Sequence, residues 1–217
     1  MSPNRYLAEA VGTFILVFFG SLSILAATAM GAPILVVVPF GFGLGLLVAI
    51  AALGHVSGGH FNPAVTIAAA LDRRTTPMDA AGYIVGQLAG AVAASAVVLY
   101  LAGQAAVQGT ANHPGSGLTA VQAAVLETVL TAAFLLVILT VTRRAPDWAA
   151  LIIALTLSAI HFAGIPFSGA SVNPARSIGP AVIGGGPYDD LWVYIVGPVV
   201  GGIVGWALYR LFGSAES

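Results

Sequence analysis

A chain of 217 residues that is 59% hydrophobic and only 7% charged cannot cover a globular surface with charge, because soluble domains carry roughly 25% charged residues. The net charge of −1 excludes a general attraction to nucleic acid. The absence of cysteine excludes a disulfide framework and a thiolate metal site.

With a mean hydropathy of +0.99, the solvent for most of this sequence is lipid. A helix needs about 20 mainly apolar residues to cross the hydrocarbon core. Taken in chain order, six stretches qualify: roughly Tyr6–Ala29, Ile34–Leu53, Ala80–Leu101, Ala120–Val141, Trp148–Ala163 and Leu191–Tyr209. Inside them the only charged side chains are Glu9 and Glu127. Two further apolar stretches, Pro63–Leu71 and Pro174–Ile183, are too short to cross. They read as half-helices, which are tolerated at membrane depth only when buried in protein or lining a wet cavity. The first stretch, with Arg5 before it and Ala27-Thr28-Ala29 at its end, resembles a signal peptide, but it is long for one and carries Glu9. The expectation is an uncleaved span. The loop Gly103–Gly117 has no readable conformation, and no linker divides the chain, so residues 1–217 read as one domain.

Orientation follows from arginine. Arg5, Arg73, Arg74, Arg143, Arg144 and Arg210 all fall on one side if six helices cross in turn. The positive-inside rule makes that side, with both termini, cytoplasmic. Arg176 alone falls on the other side, which marks it as functional by default.

The chain repeats itself. Gly58-Gly59-His60-Phe61-Asn62-Pro63-Ala64-Val65 resembles Gly169-Ala170-Ser171-Val172-Asn173-Pro174-Ala175-Arg176, at an offset, 173 minus 62, of 111. Tyr83-Ile84-Val85-Gly86 and Tyr194-Ile195-Val196-Gly197 share that offset, and Glu9-x-Val11-x-Thr13 matches Glu127-x-Val129-x-Thr131 at a similar one. Two halves, about 1–110 and 111–217, each hold three spans and one short segment. An odd number of spans per half inverts the second half. Inverted repeats place the working site near the midplane, built from broken helices.

Each Asn-Pro-Ala triplet reads as a helix start. Asn is a strong N-cap, and Pro is favoured at the next position, where its missing N–H costs nothing. Asn62 should cap toward Ala64 or Val65, and Asn173 toward Ala175 or Arg176. With its oxygen held, each amide is free to aim NH₂ donors into an open space. Two half-helix N-termini meeting mid-membrane, each with roughly +0.5 of an elementary charge, favour a water oxygen and oppose cations. The preceding non-helical residues Gly58, Gly59, His60, Phe61, Gly169, Ser171 and Val172 carry carbonyls that are costly in lipid, so they are expected to face water.

On these runs, above all 54–66 and 171–177, the chain is identified as a member of the aquaporin family over essentially its whole length. It is most similar to the bacterial water-channel branch, the aquaporin Z type. The resemblance implies an all-α hourglass of six transmembrane helices plus two re-entrant half-helices, a homotetramer, and passive passage of water across the inner membrane. It implies no enzyme activity, cofactor or metal. It also places a selectivity filter at Phe42, His161, Ala170 and Arg176. In the family the Phe–His pair accompanies water, whereas glycerol channels are wider and more apolar. Thr is usual where Ala170 stands, and Trp where Ile195 stands, which keeps glycerol or another small neutral solute as the rival cargo. Ser177, Ala181 and Tyr194 fit the water branch.

Three residues have a plainer role beside the sharp one. Glu9 and Glu127 look catalytic as paired intramembrane carboxylates, but read better as buried acceptors for the loop N–H groups. His161 on an apolar span would ordinarily be a satisfied core group; the filter spacing assigns it to the pore. An ion-coupled transporter also uses inverted repeats and broken helices, but only Glu9 and Glu127 are available to couple an ion. No nucleophile–base constellation or metal-ligand cluster supports an enzyme.

Overall fold

The computed structural model describes residues 3–115, 117–186 and 188–213. Apolar run length and punctuation by Pro, Gly and Asn divide the described residues into nine helices: α1 (Pro3–Met30), α2 (Ile34–Ser57), α3 (Pro63–Leu71), α4 (Pro77–Ala102), α5 (Gln104–Gly109), α6 (Ala120–Arg144), α7 (Pro146–Ser168), α8 (Pro174–Gly184) and α9 (Val193–Gly213). Six of them, α1, α2, α4, α6, α7 and α9, are long and apolar enough to cross a membrane. The other three are short, and α3 and α8 are the two half-helices.

The starts follow local chemistry. Thr76 caps α4 through Asp79 N–H, and Thr119 caps α6 in a reciprocal capping box with Gln122. Pro occupies the first turn of α3, α4, α7 and α8, where a missing N–H leaves nothing unpaired. Gly58, Gly169 and Gly185 end α2, α7 and α8 in the left-handed conformation, which glycine adopts without a Cβ penalty. Most spans run beyond their apolar stretch: α2 continues past Leu53 to Ser57, and α7 past Ala163 to Ser168. The last span begins later than its apolar run, at Val193 rather than Leu191. In the loop without readable conformation, α5 adds a short helix.

The packing repeats between the halves. In the first half α1 packs on α2 and α4; in the second, α6 packs on α7 and α9. Each half-helix crosses over: α3 lies mainly against α9, and α8 mainly against α4. The halves are thereby interlocked as an inverted repeat. Close approach is made by glycine. A Cβ on Gly90 would overlap the Ala10 carbonyl of α1, and one on Gly201 would overlap the Thr128 carbonyl of α6. Small residues spaced four apart let transmembrane backbones touch, which is where packing energy is found when lipid is as apolar as the partner helix.

These contacts are with backbone, so no rotamer change relieves them. Gly90→Val and Gly201→Val are expected to cost more than the roughly 1–3 kcal/mol typical of overpacking. Gly109→Ala, whose Cβ meets nothing within 4 Å, should be neutral. Thermal unfolding in detergent checks this: lower midpoints for the first two variants and an unshifted one for the third.

Candidate functional site

Between α2 and α3 the chain leaves helix for residues 58–62, and between α7 and α8 for residues 169–173. Buried non-helical backbone must find partners. Two carboxylates provide them. Glu9 of α1 accepts from Ser57 Oγ (2.6 Å), His60 N (3.0 Å), Phe61 N (2.7 Å) and Gln87 Nε2 (2.7 Å). Glu127 of α6 accepts from Ser168 Oγ (2.7 Å), Ser171 N (2.9 Å) and Val172 N (2.7 Å). Both are fully buried. Each serine turns its hydroxyl oxygen to the next loop as well, Ser57 to Gly59 N and Ser168 to Ala170 N.

The loops are bent to meet those carboxylates. Phe61, Ala170 and Val172 have φ of 49°, 48° and 46°. That region is unfavourable for any side chain and most so for a β-branched one. Val172 therefore stores strain that the surrounding hydrogen bonds must hold in place.

The half-helix starts meet across the midplane. Asn62 Oδ1 accepts from Ala64 N (2.9 Å) and Asn173 Oδ1 from Ala175 N (3.0 Å) and Arg176 N (3.4 Å). Each amide donates across to the other half: Asn62 Nδ2 to Val172 O (2.8 Å) and Asn173 Nδ2 to Phe61 O (2.9 Å). Pro63, Ala64, Pro174 and Ala175 are buried behind them in the first turns. One hydrogen of each NH₂ is thus used, and the second remains for whatever occupies the cavity that both asparagines line.

That cavity has a volume of about 750 Å³. It runs from Arg5, His55 and Arg74 at one end, past Gly58, Gly59, His60, Asn62 and Asn173, to Phe42, His161 and Arg176. Leu46, Ile50, Phe134, Ile138 and Leu157 make an apolar wall. Ser171 and Val172 also line it, whereas Phe61, Gly169 and Ala170 do not. The Phe61, Val172 and Gly169 carbonyls accept from Asn173, Asn62 and Asn112 respectively. Ala170 is fully buried, with its Cβ against Gly164. The structure thus brings Phe42, His161 and Arg176, three of the four residues expected in a filter, together at the cavity and puts the fourth behind it.

At this end of the cavity Phe42 contacts both of its polar neighbours. The His161 ring stacks on it at 4.5 Å between centroids, and the Arg176 guanidinium carbon lies 4.9 Å from its centroid. His161 Nδ1 donates to Leu157 O at 2.9 Å, so in the neutral ring Nε2 is the acceptor. Nε2 of His161 and Nε of Arg176 are buried with no protein partner.

Sequence reasoning missed several supporting groups. Ser57 and Ser168 stand at the repeat offset of 111 and were findable as a pair. Gln87, a lone amide in an apolar span, bridges Glu9 and Thr66. Asn112 carries no sequence signal at all. Among the described residues no cluster of His, Cys, Asp or Glu is arranged to hold a metal.

Six apolar spans and two re-entrant half-helices whose N-termini face one cavity define a multi-pass membrane channel. The chain belongs to the major intrinsic protein family, whose pattern it matches over residues 2–209. It is 42% identical to an aquaporin Z of Photorhabdus laumondii, over 96% of each chain. It is 40% identical to a glycerol uptake facilitator protein-like 6 of Lactiplantibacillus plantarum, over 98% of this chain and all of that one. In fold it resembles the aquaglyceroporin of Plasmodium falciparum, with a TM-score of 0.88, 23% identity, and coverage of 95% and 94%.

Removing Glu127 strands two backbone N–H groups and a hydroxyl, each costing about 1–3 kcal/mol when buried and unpaired. Glu127→Ala should therefore lower the thermal midpoint in detergent sharply and reduce the recovery of monodisperse protein. An unshifted midpoint would show that the carboxylate does not support the loop.

Proposed function

We propose that this channel is a passive water channel that excludes protons. The observation that carries the reading is that His161 and Arg176 line the same cavity as Asn62 and Asn173, so polar side chains are spaced along an otherwise apolar passage. Water is small and both donates and accepts, so it suits a passage whose polar groups include donors and acceptors.

Proton exclusion follows from the midplane. Asn62 and Asn173 both offer N–H donors there, and two half-helix N-termini add positive potential. A water oxygen that accepts from both amides points its hydrogens away from the midplane on either side. Such a water cannot accept a relayed proton. Arg176 adds a fixed charge at the other narrowing. The apolar wall keeps binding weak, so transit is fast. As in the family pattern, Pro63, Ala64, Pro174 and Ala175 pre-form the helix starts that aim the amides.

Several features of setting belong to the same proposal. The channel sits in the inner membrane with both termini in the cytoplasm. Support comes from Arg74 and Arg143 converging on Tyr209, and from Arg210 lying 3.6 Å from Asp72, so that these arginines share one face. By family likeness the assembly is a homotetramer, and the channel has neither enzymatic activity nor a resident cofactor.

Glycerol or another small neutral solute is the second reading, favoured by the 40% identity to a protein named as a glycerol uptake facilitator. Stopped-flow light scattering on proteoliposomes separates the two. A sucrose jump should give fast shrinkage with a low activation energy, and a glycerol jump should give re-swelling no faster than in empty liposomes. Rapid glycerol re-swelling would establish the second reading.

Two variants test the filter. His161→Gly removes the ring stacked on Phe42 and should raise glycerol passage, read by the same jump; unchanged glycerol flux in folded protein would refute its role. Arg176→Val should raise the proton leak, read with a pH dye trapped inside, and an unaltered leak would remove Arg176 from the barrier.

A further inference from the structure

We infer that Asn112 is a positioning residue for Arg176, fixing which of the arginine's donors face the cavity. This rests on the reading of Arg176 as the filter cation. Asn112 lies in the connection after α5, far from the half-helix in sequence. Its Oδ1 accepts from Arg176 Nη1 and, at 2.7 Å, from Ser177 Oγ. Its Nδ2 donates to Gly169 O at 3.2 Å. Arg176 Nη1 also donates to Thr110 O at 3.1 Å. With Nη1 committed to the connection, the guanidinium is held with its plane set and Nε unpartnered.

The connection is itself anchored. Gln104 and Gln108, one turn apart on α5, donate to the same carbonyl, Gly184 O, at 3.0 and 2.9 Å. Gly115 N donates to Phe167 O at 2.6 Å. The segment therefore grips α8 at its last carbonyl and at its first turn, and it also ties to the end of α7. The first half has no counterpart to this clamp, because Val65 stands where the second half has Arg176.

An amide is the group that this place requires. Arg176 needs an acceptor and Gly169 O needs a donor, and a single Asn supplies both. A carboxylate would lose the donor and would set a negative charge against the guanidinium. The described salt bridges do not include Arg176, so no acid is in direct contact with its guanidinium. Asn112 thus fixes the arginine in place while leaving its field intact.

The test uses Asn112→Ala, Asn112→Asp and Arg176→Val in proteoliposomes, each read for water flux, glycerol re-swelling and proton leak. Normalising the last two to water flux removes differences in the number of folded channels. In Asn112→Ala the guanidinium loses its side-chain acceptor, and the glycerol-to-water ratio should rise about tenfold, the factor set by one hydrogen bond to a charged group. In Asn112→Asp the proton-to-water ratio should rise, because the added charge opposes that of Arg176. A changed ratio in either variant supports the proposal, and if the alanine variant fails to fold, the aspartate variant decides. A purely structural role would lower yield and thermal midpoint and leave both ratios at the wild-type value. That result, with Arg176→Val leaking, would overturn the role of Asn112 alone. A tight Arg176→Val would remove the filter reading and this proposal with it.

Discussion

Everything in this molecule depends on satisfying a few backbone groups that lie at membrane depth outside any helix. Residues 59–62 and 170–173 have no helical partners for their N–H groups, and lipid offers none. Glu9 and Glu127 supply carboxylate oxygens from the neighbouring span. A charged or ionisable side chain inside an apolar span is costly, and it persists only where its hydrogen bonds repay that cost. Here the carboxylates hold loops at positive φ that would otherwise relax. Relaxation would rotate the half-helix starts and misalign the two amides. The acids are therefore structural in what they touch and functional in what they hold.

The packing serves the same end. Gly90 and Gly201 let α4 and α9 lie against the backbones of α1 and α6, the spans that carry Glu9 and Glu127. A wider separation would draw Gln87 of α4 away from Glu9 and Thr66. Each half-helix then packs mainly on the last span of the opposite half, so neither half of the cavity is complete alone. A rigid frame of this kind lets a weakly binding wall remain open without collapse.

Much of this was legible in the sequence, for physical reasons that differ by residue. The spans follow from run length, since lipid demands about 20 apolar residues and no other fold element does. The half-helix starts follow from Asn62-Pro63 and Asn173-Pro174, whose preferences are local. Glu9 and Glu127 were visible because an acid in an apolar span has to have a partner. By contrast α5, Gln104, Gln108 and Asn112 bond to groups far away in the chain, and composition cannot reveal a long-range partner. The carbonyls of Phe61 and Gly169 show the same limit. Each is exposed by local logic, yet each is taken by an amide from elsewhere.

The inverted repeat is symmetric where it bears load and asymmetric where it meets the cargo. Ser57 and Ser168, Glu9 and Glu127, Asn62 and Asn173 make matched bonds in the two halves. Val65 and Arg176 occupy matched places and share nothing chemically. Tyr83 donates to Ser57 O at 2.6 Å, while the hydroxyl of Tyr194 at the matched place is buried without a partner. A symmetric frame sets two donors against each other at the midplane, which requires equal and opposite halves. The Arg176 end shows the reverse: one charge at one end, held by Thr110 and Asn112. The fold meets both demands by keeping the backbone and its carboxylate supports duplicated, and by changing the side chains that face the cavity together with the loop that clamps them.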